Sequence, residues 1–509
     1  MKIFTIVASF VLFISCTGSY YSSIYHPPQP NLQPGEEYET ITENTFLTPT
    51  EYPLSTFAID VDGAAYSNVR RMIMDGRLPV KDAVRVEEMI NYFSYNYKQP
   101  RNEEPFSVQT DIGPSPWNPE HQLVQIGIKG KEIQAEDLPP SNLVFLLDVS
   151  GSMGSRDKLP LLVKGFKLLV NQLREQDLVS IVVYAGSSGL VLPPTSGDQK
   201  EKIISVLDDL YAQGSTAGGD GIKQAYKVAL KNYKKEGNNR VILATDGDFN
   251  VGISSTSELV KLIEEKREQG IDLSILGFGT GNLEDSKMEQ IANNGNGNYY
   301  YIDNLLEAKK VLVSEMGGTL HTIAKDVKIQ VEFNPQNVKA YRLIGYENRL
   351  LADEDFNNDE KDAGELGAGH TVTALYEVIP EGVTISNNLL PVDPLKYQDQ
   401  ISEAQSKYGN ELLTVKLRYK NPNKDKSSLI TEIIYKSEAT DLNENLKFAS
   451  SVASFGMLLR DSKFKGNSSF EMVQQLAKES KGVDENGYRA EFIKIVELAE
   501  LLYKGEAKN

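Results

Sequence analysis

Leu143-Val144-Phe145-Leu146-Leu147-Asp148-Val149-Ser150-Gly151-Ser152 is the stretch on which the fold turns. Five consecutive apolar residues read as a strand covered on both faces, as in a parallel sheet. The polar DVSGS that follows then lies at the strand's carboxyl end, where open α/β sheets bind their ligands. In an extended turn, a carboxylate at i and hydroxyls at i+2 and i+4 aim three hard oxygens at one spot. Gly151 lets the backbone turn tightly between them. One carboxylate with two neutral hydroxyls suits a small hard cation such as Mg²⁺, which keeps several waters rather than accept an all-protein cage.

Two more segments offer matching oxygens. Arg240-Val-Ile-Leu-Ala-Thr-Asp246-Gly247 reads as a second apolar strand ending in Asp246, and Gly214-Ser215-Thr216 opens a glycine-rich loop ahead of a helical pattern. A lone D-x-S-x-S serves equally well as a polar helix cap. Five positions in order, each behind a suitable strand or loop, favour the metal.

These residues resemble the von Willebrand factor type A family, whose metal-ion-dependent adhesion site (MIDAS) has the form D-x-S-x-S, then a loop Thr, then an Asp in a T-D-G turn. Matched position by position, the resemblance implies that Asp148, Ser150, Ser152, Thr216 and Asp246 hold Mg²⁺ or Mn²⁺. It further implies that an acidic side chain of a protein partner completes the coordination, a charge-assisted contact in a partly dry site.

The surroundings fit a Rossmann-like, doubly wound α/β domain over residues 141–320, with a mainly parallel sheet. Strands are expected at Leu143 to Leu147, Leu178 to Tyr184, Val241 to Ala244, Leu273 to Phe278 and Tyr299 to Ile302. Between them, apolar residues recur at helical spacing, for instance Leu162, Phe166, Leu169 and Leu173, so strand and helix alternate. Nucleotide binding is the rival reading of that layout. Its only support is the glycine-rich GSTAGGDG, which does not follow the first strand as a dinucleotide fingerprint does.

The amino terminus bears on location. Lys2 precedes the apolar run Ile3 to Ile14, too short to span a bilayer and suited to a signal peptide at 1–15. Phe13-Ile14-Ser15-Cys16 resembles a bacterial lipobox, with Phe13 where Leu is usual, which makes Cys16 the lipidated residue. It is the chain's one cysteine, so no disulfide framework exists. Acyl chains on Cys16 would anchor an extracytoplasmic protein to the membrane. Residues 16–50, rich in Tyr, Ser and Pro, are expected to form a flexible tether. The formal net charge of −18 argues against nucleic acid as a partner.

Residues 51–140 carry helical patterns at Ala64 to Asp75 and Val84 to Phe93, with Asp60 and Asp62 expected to cap the first. This region resembles one found beside type A domains in a group of bacterial proteins. Strand patterns at Ser107 to Ile112 and Leu123 to Ile128 precede the α/β unit. Those at Val327 to Phe333, Tyr341 to Ile344, Thr371 to Val378 and Leu412 to Tyr419 follow it, within a β-rich stretch 321–440. The two flanks are expected to form one β-sandwich into which the α/β unit is inserted, since each needs partners to cover its apolar face. Residues 441–509 are helical by periodicity and resemble the carboxyl-terminal domain of the same bacterial group.

For catalysis the chain offers little. His26, His121, His321 and His370 stand far from the metal motif in sequence, and no G-x-S-x-G elbow or H-E-x-x-H helix occurs. The expected function is therefore a Mg²⁺-dependent protein-binding module of the bacterial cell envelope, and not an enzyme. The alternative is a metal-dependent envelope hydrolase, with Asp220 or Asp248 as its base.

Overall fold

The computed structural model describes residues 36–506 apart from 60, 102–103, 215–218, 248–255, 282, 316–320, 384–407, 423, 425 and 438. Cys16, Thr216 and Asp248 lie outside the described residues. In chain order, β1 (Leu54–Ala58), α1 (Ala64–Met74), α2 (Val86–Asn91), β2 (Phe106–Ser115) and β3 (Asn118–Gly130) lead into the α/β unit. That unit comprises β4 (Ser141–Asp148), α3 (Leu159–Gln172), β5 (Leu178–Tyr184), β6 (Ser188–Ser196), α4 (Lys200–Asp208), α5 (Gly219–Lys231), β7 (Asn238–Thr245), α6 (Thr256–Glu268), β8 (Asp272–Phe278), α7 (Asp285–Asn294), β9 (Tyr299–Ile302) and α8 (Leu305–Lys309). A π-helical turn, Lys310–Ser314, extends α8. The chain then forms β10 (Thr322–Phe333), β11 (Val338–Ile344), β12 (Gly364–Gly367), β13 (Thr371–Pro380), β14 (Glu411–Lys420), β15 (Ser427–Tyr435), α9 (Glu444–Arg460), α10 (Phe470–Glu479) and α11 (Tyr488–Glu506).

The α/β sheet has the order β6-β5-β4-β7-β8-β9, parallel throughout except for β6 at the edge. Every residue of β4 is buried. Alternation along the strand divides its side chains between two cores. Leu143, Phe145 and Leu147 pack with Leu162, Phe166 and Leu169 of α3, whereas Val144 and Leu146 pack with Ile222, Ala225 and Tyr226 of α5. Each of these large apolar side chains stabilises the fold by about 1.5–3 kcal/mol on burial.

Strands from before and after this unit share both sheets of a sandwich. One sheet runs β1-β10-β14-β15, with β12 also on β10, and the other runs β11-β13-β3-β2. β1 pairs with β10 and β3 with β13, both antiparallel. The α/β unit is thus an insertion whose entry and exit meet, since a Cβ on Gly130, ahead of it, would lie 3.0 Å from Ile323 Cδ1, beyond it. Ser141, at the start of β4, gives its N–H to Asp177 Oδ1 at 2.8 Å. Just past the unit, the His321 carbonyl accepts the Ala368 N–H at 2.9 Å.

α1 and α2 share one core with α9, α10 and α11, through Tyr66, Met89, Phe93, Phe448 and Phe492 among others. The expected segments 51–140, 321–440 and 441–509 are therefore interleaved rather than consecutive bodies. Arg70 of α1 is buried where this layer meets the α/β unit. Its guanidinium donates to Asp303, to Glu307 Oε2 at 2.8 Å, to Glu491 Oε2 at 2.9 Å and to the Tyr92 hydroxyl at 2.9 Å.

Three expectations need correction. The tether does not extend to residue 50: Glu37 bridges to Glu284, Leu47 to Tyr341, and buried Glu36 pairs with Arg71 at 3.1 Å. Asp62 does not cap α1, whose N-cap is Gly63. Its Oδ1 instead accepts the Tyr299 N–H at 3.0 Å and its Oδ2 meets Arg349 at 3.2 Å, while Glu88 Oε2 takes the Ala65 N–H at 2.8 Å. β6 occupies the interval after β5, at the sheet edge where Pro193 and Pro194 cost no ladder bond. Among the described residues no helix is long and apolar enough to cross a membrane.

Candidate metal centre

β4 and β7 lie side by side, with Leu147 opposite Ala244, so their carboxyl ends bring Asp148 and Asp246 to one place. Both carboxylates are fully buried. Asp148 Oδ1 accepts the Ser150 N–H at 2.8 Å, the two-residue turn that an aspartate forms with its own backbone. Thr245 Oγ1 stands 3.4 Å from Asp148 Oδ2 and accepts the Gly247 N–H at 3.3 Å. Gly247 has φ 101°, a conformation that permits the reversal after Asp246.

Ser150 is buried and extended, and it leads into a short 3₁₀ turn, Gly151–Gly154. This brings Ser150 Oγ to 3.0 Å from Ser152 Oγ, with Ser152 exposed at the mouth. Asp148, Ser150, Ser152 and Asp246 therefore converge. Thr216 lies outside the described residues, and Gln213 and Gly214, just before it, are fastened to the motif. The Gln213 N–H donates to the Val149 carbonyl at 2.8 Å and the Gly151 N–H to the Gly214 carbonyl at 3.0 Å. A Cβ on Gly151 would sit 3.3 Å from that same carbonyl, so the approach needs a small residue there.

Sequence reasoning missed three side chains at this site: Thr245 and Tyr184, whose hydroxyls lie against Asp148, and Lys158. Lys158 is buried at the N-cap of α3 and folds back so that Nζ lies 2.8 Å from Asp246 Oδ2. The available signal was a lone lysine at a helix amino terminus, where the helix dipole disfavours a cation. Burial pushes the Asp148 carboxyl up to about 6, against the hydrogen bonds from Ser150, with Asp246 adding repulsion.

The donor set fits a hard cation. Two buried carboxylates stand beside two serine hydroxyls, and hard oxygens of this kind are the ligands that a small divalent cation takes. An ion here would rest on the carboxylates of Asp148 and Asp246 and the hydroxyls of Ser150 and Ser152 together. That is the chemistry of Mg²⁺ or Mn²⁺ rather than Zn²⁺. The described histidines lie elsewhere: His121 Nδ1 is 2.6 Å from Glu377 Oε1, and burial lowers the imidazole pKa of both His321 and His370. Asp220 is exposed in the first turn of α5.

Three family models match the chain in succession: von Willebrand factor over residues 33–125, von Willebrand factor type A domain over 142–313, and the carboxyl-terminal region of uncharacterized protein YfbK over 318–502. The uncharacterized protein YfbK of Escherichia coli K12 is 44% identical over 470 residues, which are 91% of this chain and 81% of that protein. A second relative, uncharacterized protein sll0103 of Synechocystis, is 29% identical over 36% of this chain and 43% of its own length. Among solved structures, a von Willebrand factor type A protein from Catenulispora acidiphila covers 76% of this chain and 89% of its own at 15% identity, with a TM-score of 0.41. The order of the matched regions and the 44% identity over most of both chains agree, and the chain belongs to the YfbK family of von Willebrand factor type A domain proteins.

Proposed function

We propose that this protein is a Mg²⁺-dependent protein-binding module, held at the bacterial cell envelope by a lipid on Cys16, whose site comprises Asp148, Ser150, Ser152, Thr216 and Asp246. The observation that carries the reading is the convergence of two fully buried carboxylates with the Ser150 and Ser152 hydroxyls at the carboxyl edge of the sheet. A bound Mg²⁺ would supply a coordination position open to a partner's carboxylate.

The residues divide the task. Asp148 and Asp246 provide the carboxylate oxygens beneath the mouth, where burial strengthens their attraction for a cation. Ser150 and Ser152 add neutral oxygens, which leaves a bound cation attractive to an incoming acid. Ser152 is exposed, so a partner would arrive from its side. Thr216 would join from the loop fastened at Gln213 and Gly214.

The test is a calorimetric titration of Mg²⁺ and Mn²⁺ into chelator-treated protein, beside affinity capture from native membranes with and without chelator. Uptake of one ion, lost in Asp148→Ala while the fold persists, is expected, together with a captured protein released by chelator. No uptake of either ion, by wild type and by Lys158→Met alike, would end the metal reading. Metabolic labelling with a fatty acid, compared between wild type and Cys16→Ala, tests the anchor.

A further inference from the structure

Lys158 is an unusual neighbour for a cation site. Its ammonium already lies 2.8 Å from Asp246 Oδ2, and both groups are buried. The stem reaches that place through a slot built for it. It passes over Gly279, just beyond β8, where an added Cβ would fall 2.3 Å from Lys158 Cε, 2.4 Å from Cγ and 2.8 Å from Cδ. Gly279 has φ 70°, and its carbonyl accepts the Tyr301 hydroxyl at 2.7 Å, which fixes the floor of the slot. At the other end, the Lys158 N–H and carbonyl are committed to Ser155 and Leu162. Backbone at both ends therefore delivers the ammonium to one carboxylate oxygen.

We propose that Lys158 is a tethered cation that occupies Asp246 in competition with a divalent ion, so that the chain itself sets its metal affinity low. This inference rests on the metal reading above. A unit positive charge a few ångströms from the bound ion opposes binding, and the opposition is strong where water is excluded. Divalent binding must either displace the ammonium from Asp246 or tolerate it nearby, and both reduce affinity. A site so tuned fills only when cation or acidic partner is abundant, which makes occupancy, and with it partner capture, responsive to concentration.

The experiment compares Mg²⁺ and Mn²⁺ dissociation constants by calorimetry for chelator-treated wild type, Lys158→Met and Lys158→Gln, with circular dichroism to verify the fold. Methionine retains most of the stem that fills the slot, and glutamine retains a polar end, so one of the two keeps the comparison if the other fails to fold. Loss of the charge is expected to tighten binding about tenfold or more. A positioning lysine that merely oriented Asp246 would give the opposite sign. Unchanged or weaker binding in the folded variants, with wild type still binding, overturns this inference and leaves the metal reading standing. Silence from wild type and variants alike overturns both. Uptake by the variants alone would show the ammonium holding the site against the ion.

Discussion

The seam where the α/β unit enters and leaves the sandwich makes a quantitative prediction. His321, buried just past the unit, faces Arg240 and Arg174. Burial first, and then these two charges, push its imidazole down from the ordinary 6.5 to about 4. The unfolded chain takes up a proton near 6.5, whereas the folded chain refuses it until about 4. The stability contributed by the neutral ring is therefore present above 6.5 and is lost as pH falls through 4. About 1.4 kcal/mol per unit over this gap gives roughly 3 kcal/mol in full, and about 2.5 kcal/mol by pH 4.5. His321→Gln is neutral at every pH and removes this term while leaving all carboxylates in place. Urea unfolding at pH 7.5 and 4.5 should show the wild type losing about 2.5 kcal/mol more than the variant. The chain has four histidines, so ring proton spectra can follow each one and identify His321 by its absence from the variant. A ring that titrates near 6.5, or a double difference below about 0.5 kcal/mol, would refute the reasoning.

Two further substitutions test how the layers are held together. Arg70→Met leaves Asp303 and Glu307 buried without their shared cation, and should cost about 3–5 kcal/mol in urea unfolding; a loss under about 1 kcal/mol would mean that the two acids find other partners. Gly297→Ala places a Cβ 1.9 Å from the Leu273 carbonyl oxygen, a backbone collision beside β8. It should lower stability by about 3 kcal/mol or more, whereas an unchanged urea midpoint would show that the 295–298 turn yields freely.

The α/β unit was the most legible part of the chain. The bounds expected for β5 and β9 coincide with the observed ones, because strands buried on both faces are continuous apolar runs that only a parallel sheet explains. β6 and β15 were not read. β6 contains two prolines, and β15, Ser427–Tyr435, leaves Leu429, Ile433 and Tyr435 exposed, so neither shows a clean buried face. The docking of residues 36–50 was illegible for another reason. It depends on single partners far along the chain, Arg71, Leu283 and Tyr341, and leaves no local period. At the candidate site, Asp148, Ser150, Ser152 and Asp246 were legible because each ends or follows a strand. Lys158 was not, since its partner is 88 residues away and its path depends on the backbone of Gly279.

The same geometry bears on whether the candidate site transmits a signal or only holds a partner. Asp148 lies at the far end of β4 from Ser141, about 23 Å at the usual strand rise, so the edge that would bind is remote from the seam. The direct mechanical route between them is the closing helix, α8 with its π-helical extension. Ala308, Val311 and Leu312 share the core under β4 and α3, and Gly165 of α3 leaves room for the helix, since a Cβ there would lie 3.1 Å from Ala308 Cβ and 3.4 Å from Leu312 Cδ1. On its other side this helix carries Glu307, fixed by Arg70 and the Tyr92 hydroxyl, and Lys310, whose ammonium lies 4.3 Å from the Tyr92 ring centroid. Sliding it would break a buried ionic cluster at a cost of about 3–5 kcal/mol, more than the roughly 1–3 kcal/mol that couplings between sites usually supply. On the proposed reading a partner at the carboxyl edge would therefore meet a receptor whose closing helix stays in place, and the response to a bound ion would fall to the Lys158 side chain, which meets Asp246 directly.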